Sequence, residues 1–288
     1  MANAGKIVLV ESAPALPLRP VEGHKGLFGR VLVVGGNADM IGAPVFAGTA
    51  ALRMGSGWVQ IAVPRENLAI CLSITPELVG LGLGGAAGEK ALMAAAEKAD
   101  ALVVGPGLGQ SAAARGRLKR LVGMDKPMVV DADALNLLAR EKKWPAYFKA
   151  RAVLTPHPGE MQRLAKLIGR STVPSDEQGR IDIAAAAARA FGQIVVLKGH
   201  RTVVTDGRRV FINHTGDSTL SKAGTGDVLS GMVGCLLGQK MEPFEAAALG
   251  VHLHGLAGEM AGKRFGRRSA LAREVIEAIA ETVRGNDE

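Results

Sequence analysis

The chain has 288 residues, 48% hydrophobic but only 3% aromatic, with two cysteines and a formal charge of +8. Cys71 and Cys235 lie far apart and in no metal-ligand spacing, which argues against a disulfide scaffold and fits a reducing, cytoplasmic compartment. No run of about 18 apolar residues is present to span a bilayer: the most apolar long stretch, Ala246 to Ala257, is broken by His252 and His254, and Met1 to Val10 lacks the long apolar core of a secretory leader.

Along the chain, short β-branched runs alternate with Ala- and Leu-rich stretches. The first strand is expected at Arg30–Val34, leading through Gly35-Gly36 to a helix over Ala43–Met54. Trp58–Val63, Ala101–Val104, Met128–Asp131, Ala152–Thr155 and Ile194–Lys198 read as further strands, nearly continuous in apolar residues as strands buried on both faces are. Helices are expected at Gly88–Lys98, Ala112–Val122, Glu160–Ile168 and Ile181–Phe191. Asp206-Gly207-Arg208 between Thr202–Thr205 and Arg209–Ile212 signals a hairpin. Val228–Gln239, Pro243–Met260 and Ala270–Val283 complete the pattern as helices, with a frayed end from Gly285 to Glu288. The expectation is one α/β domain over 1–288: a mainly parallel central sheet, helices on both faces, and an antiparallel edge hairpin.

The strongest chemical signal is Ser221-Lys222-Ala223-Gly224-Thr225-Gly226-Asp227 running into an apolar helix. The first helical turn has unpaired N–H groups at the positive end of the dipole. Glycines there let an anion approach the backbone, which suits a phosphoryl group in transfer. Asp227 stands beside that anion hole, placed to accept a proton from an attacking hydroxyl. Val195 to Thr202 ends a buried strand in Lys198-Gly199-His200-Arg201-Thr202, donors at the carboxyl edge of a sheet where ligands bind. In Thr155-Pro156-His157-Pro158-Gly159-Glu160, His157 is a candidate substrate contact, and Glu160 either organises a magnesium shell or is a plain first-turn acid. Gly35 to Ala43 and Gly105-Pro106-Gly107-Leu108-Gly109 put backbone amides at other strand ends. Asp131 and Asp133 meet metal or substrate, or cap the next helix.

Other signals are set aside. Gly80, Gly82 and Gly85 match a dinucleotide fingerprint, with Asp100 at the right distance. Thr75-Pro76-Glu77 is a poor strand, however, and Asp100 precedes its strand instead of ending one. No Gly-x-x-x-x-Gly-Lys-Ser/Thr loop occurs. His252 and His254 are two apart on a helix and make a poor metal pair. The basic cluster from Lys263 to Arg268 has only Phe265 among it and reads as a solvated loop, so no nucleic-acid partner is expected.

In order and spacing, these segments together resemble the ribokinase-like superfamily and, within it, the ADP-dependent NAD(P)H-hydrate dehydratases, over about Gly29 to Glu281. The resemblance implies ADP-dependent dehydration of the S epimer of hydrated NADH or NADPH, restoring the reduced nucleotide and releasing AMP and phosphate, with ADP as donor and Mg2+ as cofactor. It implies that Ala43, Gly107, His157 and Asp227 contact the hydrate, that Lys198, Gly199, His200, Arg201, Thr202 and Gly226 contact the adenine nucleotide, and that Gly224, Thr225 and Gly226 join Asp227 in catalysis. It also implies a homotetramer and, because only about 28 residues precede the first predicted strand, a separate epimerase for the R form. The alternative is a small-molecule kinase of the same superfamily acting on a vitamin-precursor alcohol.

Overall fold

The apolar β-branched runs become the inner strands of one ten-stranded sheet in the computed structural model, which describes residues 7–285. The expected fraying of the last residues lies outside that range beyond Gly285. In chain order the elements are β1 (Val8–Val10), β2 (Arg30–Val34), α1 (Gly42–Arg53), β3 (Trp58–Pro64), α2 (Leu68–Ile74), β4 (Val79–Leu83), α3 (Gly85–Lys98), β5 (Ala101–Val104), α4 (Ala112–Val122), β6 (Met128–Val130) and α5 (Asp133–Leu138). They continue with β7 (Ala152–Leu154), α6 (Pro158–Ala165), α7 (Glu177–Phe191), β8 (Ile194–Leu197), β9 (Val203–Thr205), β10 (Arg209–Ile212), α8 (Thr225–Gly238), α9 (Pro243–Phe265) and α10 (Ala272–Arg284).

Strand residues alternate between two cores. Val31, Val33, Ala101 and Val103 face α1, α8, α9 and α10, whereas Leu32, Val34, Leu102 and Val104 face α3 through α7. This period of two, apolar on both sides, is why the inner strands read as unbroken runs. Helix α8 is the pivot: every residue from Val228 to Gly238 is buried. It lies close to its neighbours because two glycines face them. A methyl at Gly231 would overlap the carbonyl oxygen of Ala47 in α1, and one at Gly234 would overlap Val103 in β5. The small residues thus fix where the start of α8, with Asp227, projects.

The strand order is β1-β10-β9-β8-β7-β6-β5-β2-β3-β4. From β2 the chain winds outward to β4, then returns to the other side of β2 through β5. The sheet therefore reverses direction between β2 and β5, and a crevice opens beyond their carboxyl ends. The pairs from β2 and β3 through β8 are parallel, and β9 runs antiparallel to both β8 and β10. The hairpin is present, but it is not the outermost edge: β1 adds parallel to β10 beyond it.

Strand β4 departs from the sequence reading. Gly80 and Gly82 sit inside this half-buried edge strand, and Gly85 opens α3. The fingerprint glycines are thus not in a strand-to-helix turn, and Asp100 instead binds the Arg30 amide and Lys240 at the amino end of the strands. The dinucleotide reading of that stretch fails for this reason. Among the described residues no helix is long and apolar enough to cross a membrane.

Candidate active site

The loops that follow β2, β5, β6, β7 and β8 meet the amino end of α8 beyond the carboxyl edge of the sheet. At the reversal point, the Gly36 amide donates to the Pro106 carbonyl at 2.9 Å. A side chain on Gly107 would touch Met40 and the methyl of Ala43, so the two glycine loops lie face to face and bring Ala43 and Gly107 together. Asp133, at the start of α5, accepts from the Gly109 amide at 2.9 Å and from Gln110 Nε2 at 3.1 Å. That carboxylate anchors the second loop.

Asp131 ends β6 in an unusual turn. The next residue, Ala132, has φ of 51°, a left-handed conformation that an alanine adopts only when its surroundings hold it. The turn aims the Ala132 amide at Asp131 Oδ1 at 2.8 Å. Asp131 also accepts from Lys198 Nζ at 2.8 Å and Ser230 Oγ at 2.6 Å, joining β6, β8 and α8 in one buried network. Lys198 therefore arrives fixed. Burial works to lower its pKa, but Asp131, Glu160 and Asp227 outweigh burial and raise it.

Gly224 caps α8 with φ of 94°, a left-handed conformation open to glycine. A side chain at Gly226 would come within 3.4 Å of Lys198 Nζ, so the first turn of α8 and the ammonium group flank one space. Thr225 borders the same cleft, but its hydroxyl is turned away. Its hydroxyl lies 2.7 Å from the Leu220 carbonyl and 2.8 Å from that of Lys222, to which it donates. It braces the turn, leaving only backbone to the anion hole. Asp227 is half-buried, and its carboxylate has no hydrogen-bond donor among the described side chains. Burial first, then the negative charge of Asp131 and Glu160, pushes its pKa up to about 7 against the pull of Lys198.

On the β7 side, His157 caps α6. Its Nδ1 accepts from the Gly159 amide at 3.0 Å, while its own amide donates to Glu160 Oε2 at 2.9 Å. Partial burial, Lys198 and Arg163 hold the imidazole below its usual pKa, and Nε2 lies 3.5 Å from Glu160 Oε1. Glu160 is itself buried. Burial raises its pKa to about 7, with Lys198 opposing. Its helix-capping bond and its place near Lys198 coexist.

The Lys198–Thr202 loop opens onto a cleft of about 350 Å³ whose lining includes Gly226, Leu229, Val251 and His254. Lys198, Gly199, His200, Arg201 and Thr202 all line it. Arg201 turns its guanidinium to Glu177 at 2.7 Å, and Thr202 Oγ1 donates to the Gly199 carbonyl. Arg180 of α7 donates to the carbonyls of Leu197 and Lys198 at 3.1 and 3.3 Å and so supports the loop from beneath.

Sequence reasoning missed Arg180 and Ser230, left Asp131 undecided and set His254 aside. Arg180 and Ser230 carry no local pattern of their own. His254 is 7% exposed, lines the cleft, and its Nε2 has no partner. Burial drives its pKa to about 4. The basic cluster is exposed throughout, as expected, with its first three residues closing α9; Arg267 pairs with Asp217 at 2.7 Å, and Lys222 Nζ donates to the Arg268 carbonyl.

The profile of the NAD(P)H-hydrate dehydratase family, Carb_kinase, matches residues 31–281. The chain is 41% identical to the bifunctional NAD(P)H-hydrate repair enzyme Nnr of Moorella thermoacetica over 95% of its own length and 52% of that protein, and thus spans about half the length of such curated relatives. It is 37% identical to the ADP-dependent (S)-NAD(P)H-hydrate dehydratase of Neisseria meningitidis, covering 92% of this chain and 88% of that one. A solved structure of the Bacillus subtilis ADP/ATP-dependent NAD(P)H-hydrate dehydratase, co-crystallised with ATP/Mg2+, superposes with a TM-score of 0.81 at 30% identity, over 94% of this chain and 95% of that chain. The hydroxyethylthiazole kinase of Pyrococcus horikoshii, at 19% identity and a TM-score of 0.65 over 88% of this chain and 90% of its own, shares the fold alone. Matched from β2 to α10, the chain belongs to the NAD(P)H-hydrate dehydratase family and has its ribokinase-like fold.

Proposed function

We propose that this chain dehydrates the S epimer of hydrated NADH and NADPH at the expense of ADP, restoring the reduced dinucleotide and releasing AMP and phosphate. One observation carries the reading. Asp227, with its pKa raised to about 7, sits in the first turn of α8, next to Gly226 of the cleft lining and within electrostatic reach of Lys198, Asp131 and Glu160, and the reading assigns the hydrate to the side of Ala43, Gly107 and His157.

In this reading ADP occupies the cleft lined by Lys198–Thr202 and Gly226, its terminal phosphoryl group at the start of α8. Asp227 takes the proton of the ring hydroxyl as that oxygen attacks the β-phosphorus, and the bond to the AMP oxygen breaks. The unpaired amides of Gly224 and Gly226, with Lys198, stabilise the charge on the transferring group. Phosphate then departs with the C–O electron pair, and the adjacent ring carbon loses a proton to restore the double bond. Phosphorylation is needed because hydroxide leaves poorly and phosphate well. The R epimer lies outside this reaction and requires an epimerase activity.

No group of three or more His, Cys, Asp or Glu side chains among the described residues is arranged to hold a metal. This fits Mg2+ carried on nucleotide phosphates with most of its waters kept, and Glu160 is the carboxylate assigned to that hydration shell. When bound, the ion would offset phosphate charge. The homotetramer stays within the proposal on family resemblance.

The test is incubation with (6S)-hydrated NADH or NADPH and either ADP or ATP, following return of reduced-nicotinamide absorbance. Recovery with release of AMP from ADP supports the reading. Accumulation of a stable phosphorylated alcohol would move the assignment to the kinase.

A further inference from the structure

Next to the candidate dinucleotide wall lies a second, strongly positive pocket of about 390 Å³, lined by Gln110, Asn136, Ala139, Arg140, Arg163 and Lys166. The side-chain hydrogen bonds of its arginines go to neutral groups. Arg163 Nη1 donates to Asn136 Oδ1 at 3.0 Å, and Arg140 donates to Gln110 Oε1. Lys166 has no side-chain partner among the described residues, and none of the three forms an ion pair. Nearby Arg115, by contrast, pairs with Glu141 at 2.9 Å. An arginine held by one amide oxygen is oriented but keeps most of its donors. Three such cations line one pocket with no carboxylate at ion-pairing distance, the charge of Glu160 acting on Arg163 only from farther off, and they repel one another unless an anion joins them.

The pocket is built on the same elements as the candidate site. Gln110 directly follows the Gly105–Gly109 loop, and both are tied to Asp133. Arg163 lies one turn beyond Glu160 on α6, and its charge reaches His157. A substrate whose nicotinamide ring lies against Ala43, Gly107 and His157 must send the rest of its length outward. The nucleotide cleft is taken by the phosphoryl donor, which leaves the side bounded by α5 and α6.

We propose that Arg140, Arg163 and Lys166 form an anion subsite that binds a phosphate of the hydrated dinucleotide beyond its nicotinamide ring. This rests on the function proposed above. Two phosphates share the required chemistry: the bridging diphosphate present in both hydrates, and the 2′-phosphate of the NADPH form alone. Guanidinium and ammonium groups suit either.

The side chains of all three residues are exposed, so their replacement leaves the core intact. The experiment compares wild type with Arg163→Ala/Lys166→Ala and Arg140→Ala, using both hydrates at saturating ADP, and measures NADH and NADPH binding by fluorescence. Lys142→Ala/Lys143→Ala, exposed cations outside the pocket, serves as the control for general charge. The expected result is a KM at least about tenfold higher with kcat nearly unchanged. A rise for both hydrates assigns the diphosphate; a rise for the NADPH hydrate alone assigns the 2′-phosphate. KM values within twofold of wild type for both, or an equal loss in the control, overturn the subsite. If wild type turns over neither hydrate, the function proposal has failed; NADPH binding then decides the subsite, which stands if the variants weaken it and falls if they do not or if wild type does not bind.

Discussion

The two sides of the site are built from different materials. The nucleotide side is braced by side chains: Arg180 under the Lys198 loop, Thr225 on the Leu220 and Lys222 carbonyls, and Asn213 Nδ2 on the Val251 carbonyl at 3.1 Å. The facing side, at the reversal between β2 and β5, is mostly backbone, with Ala43 and Gly107 offering no functional group and His157 exposed. Charge chemistry belongs where water is excluded and electrostatic interactions are strong. A surface that receives a flat ring and lets a long substrate pass outward needs shape instead. In the proposed reaction Asp227 serves both sides, so it should respond to both.

Changing Asp227 gives the largest effect. Asp227→Asn keeps the size of the side chain and removes the base, so ADP binding should persist while kcat falls by about 100- to 10,000-fold. Calorimetry with ADP and the recovery assay separate the two. Near-normal turnover would remove Asp227 from the mechanism. The wild-type pH profile sharpens the same point. Because the Asp227 carboxyl titrates near 7, and only its ionised form accepts a proton, kcat/KM should rise through about pH 7 and lose about tenfold per unit below it. A flat profile from pH 5.5 to 8 would contradict this.

The braced side should depend on Asp131 more than any other polar residue. Replacing it with alanine strands Lys198 and Ser230 and removes the partner that holds the Ala132 turn. Loss of one member of a largely buried ion pair costs about 3 kcal/mol or more, and Lys198, with 19% side-chain exposure, can recover some solvation. Urea denaturation should register a loss near that figure. Stability within about 0.5 kcal/mol of wild type would mean that Asp131 is not the anchor.

Most of the sheet was legible from the sequence because strands buried on both faces leave a continuous signal. Arg30–Val34, Ala101–Val104 and Arg209–Ile212 appear with the expected limits. Strand β4 was not legible, since Gly80 and Gly82 weaken its propensity and half-burial removes the apolar run; β1 is only Val8–Val10, and most of it is exposed. At the site, the residues announced by local pattern, from Gly224 to Asp227 and from Lys198 to Thr202, do converge. Asp131 and Ser230 could not be paired in advance, because 99 residues separate them and only the strand order joins them. The reversal between β2 and β5 is likewise a property of topology, which the pattern of strands and helices does not encode.

The smallest expected effect concerns His254, where helical spacing argued against a metal pair but said nothing about burial. An imidazole nitrogen that is buried, neutral and unpartnered at a cleft wall is a group awaiting a hydrogen bond that the protein does not supply. A bound nucleotide can supply it. His254→Phe keeps an aromatic ring and loses both nitrogens, the one bonded to the Thr225 backbone included, so ADP affinity should drop about fivefold while the KM for hydrate holds. His254→Gln, which restores a polar end, should recover part of the loss. The pair of variants separates a lost contact from altered packing: packing damage would weaken stability in both, whereas a lost hydrogen bond follows the presence of the polar atom. Unchanged ADP affinity in both would show that this nitrogen does not meet the nucleotide.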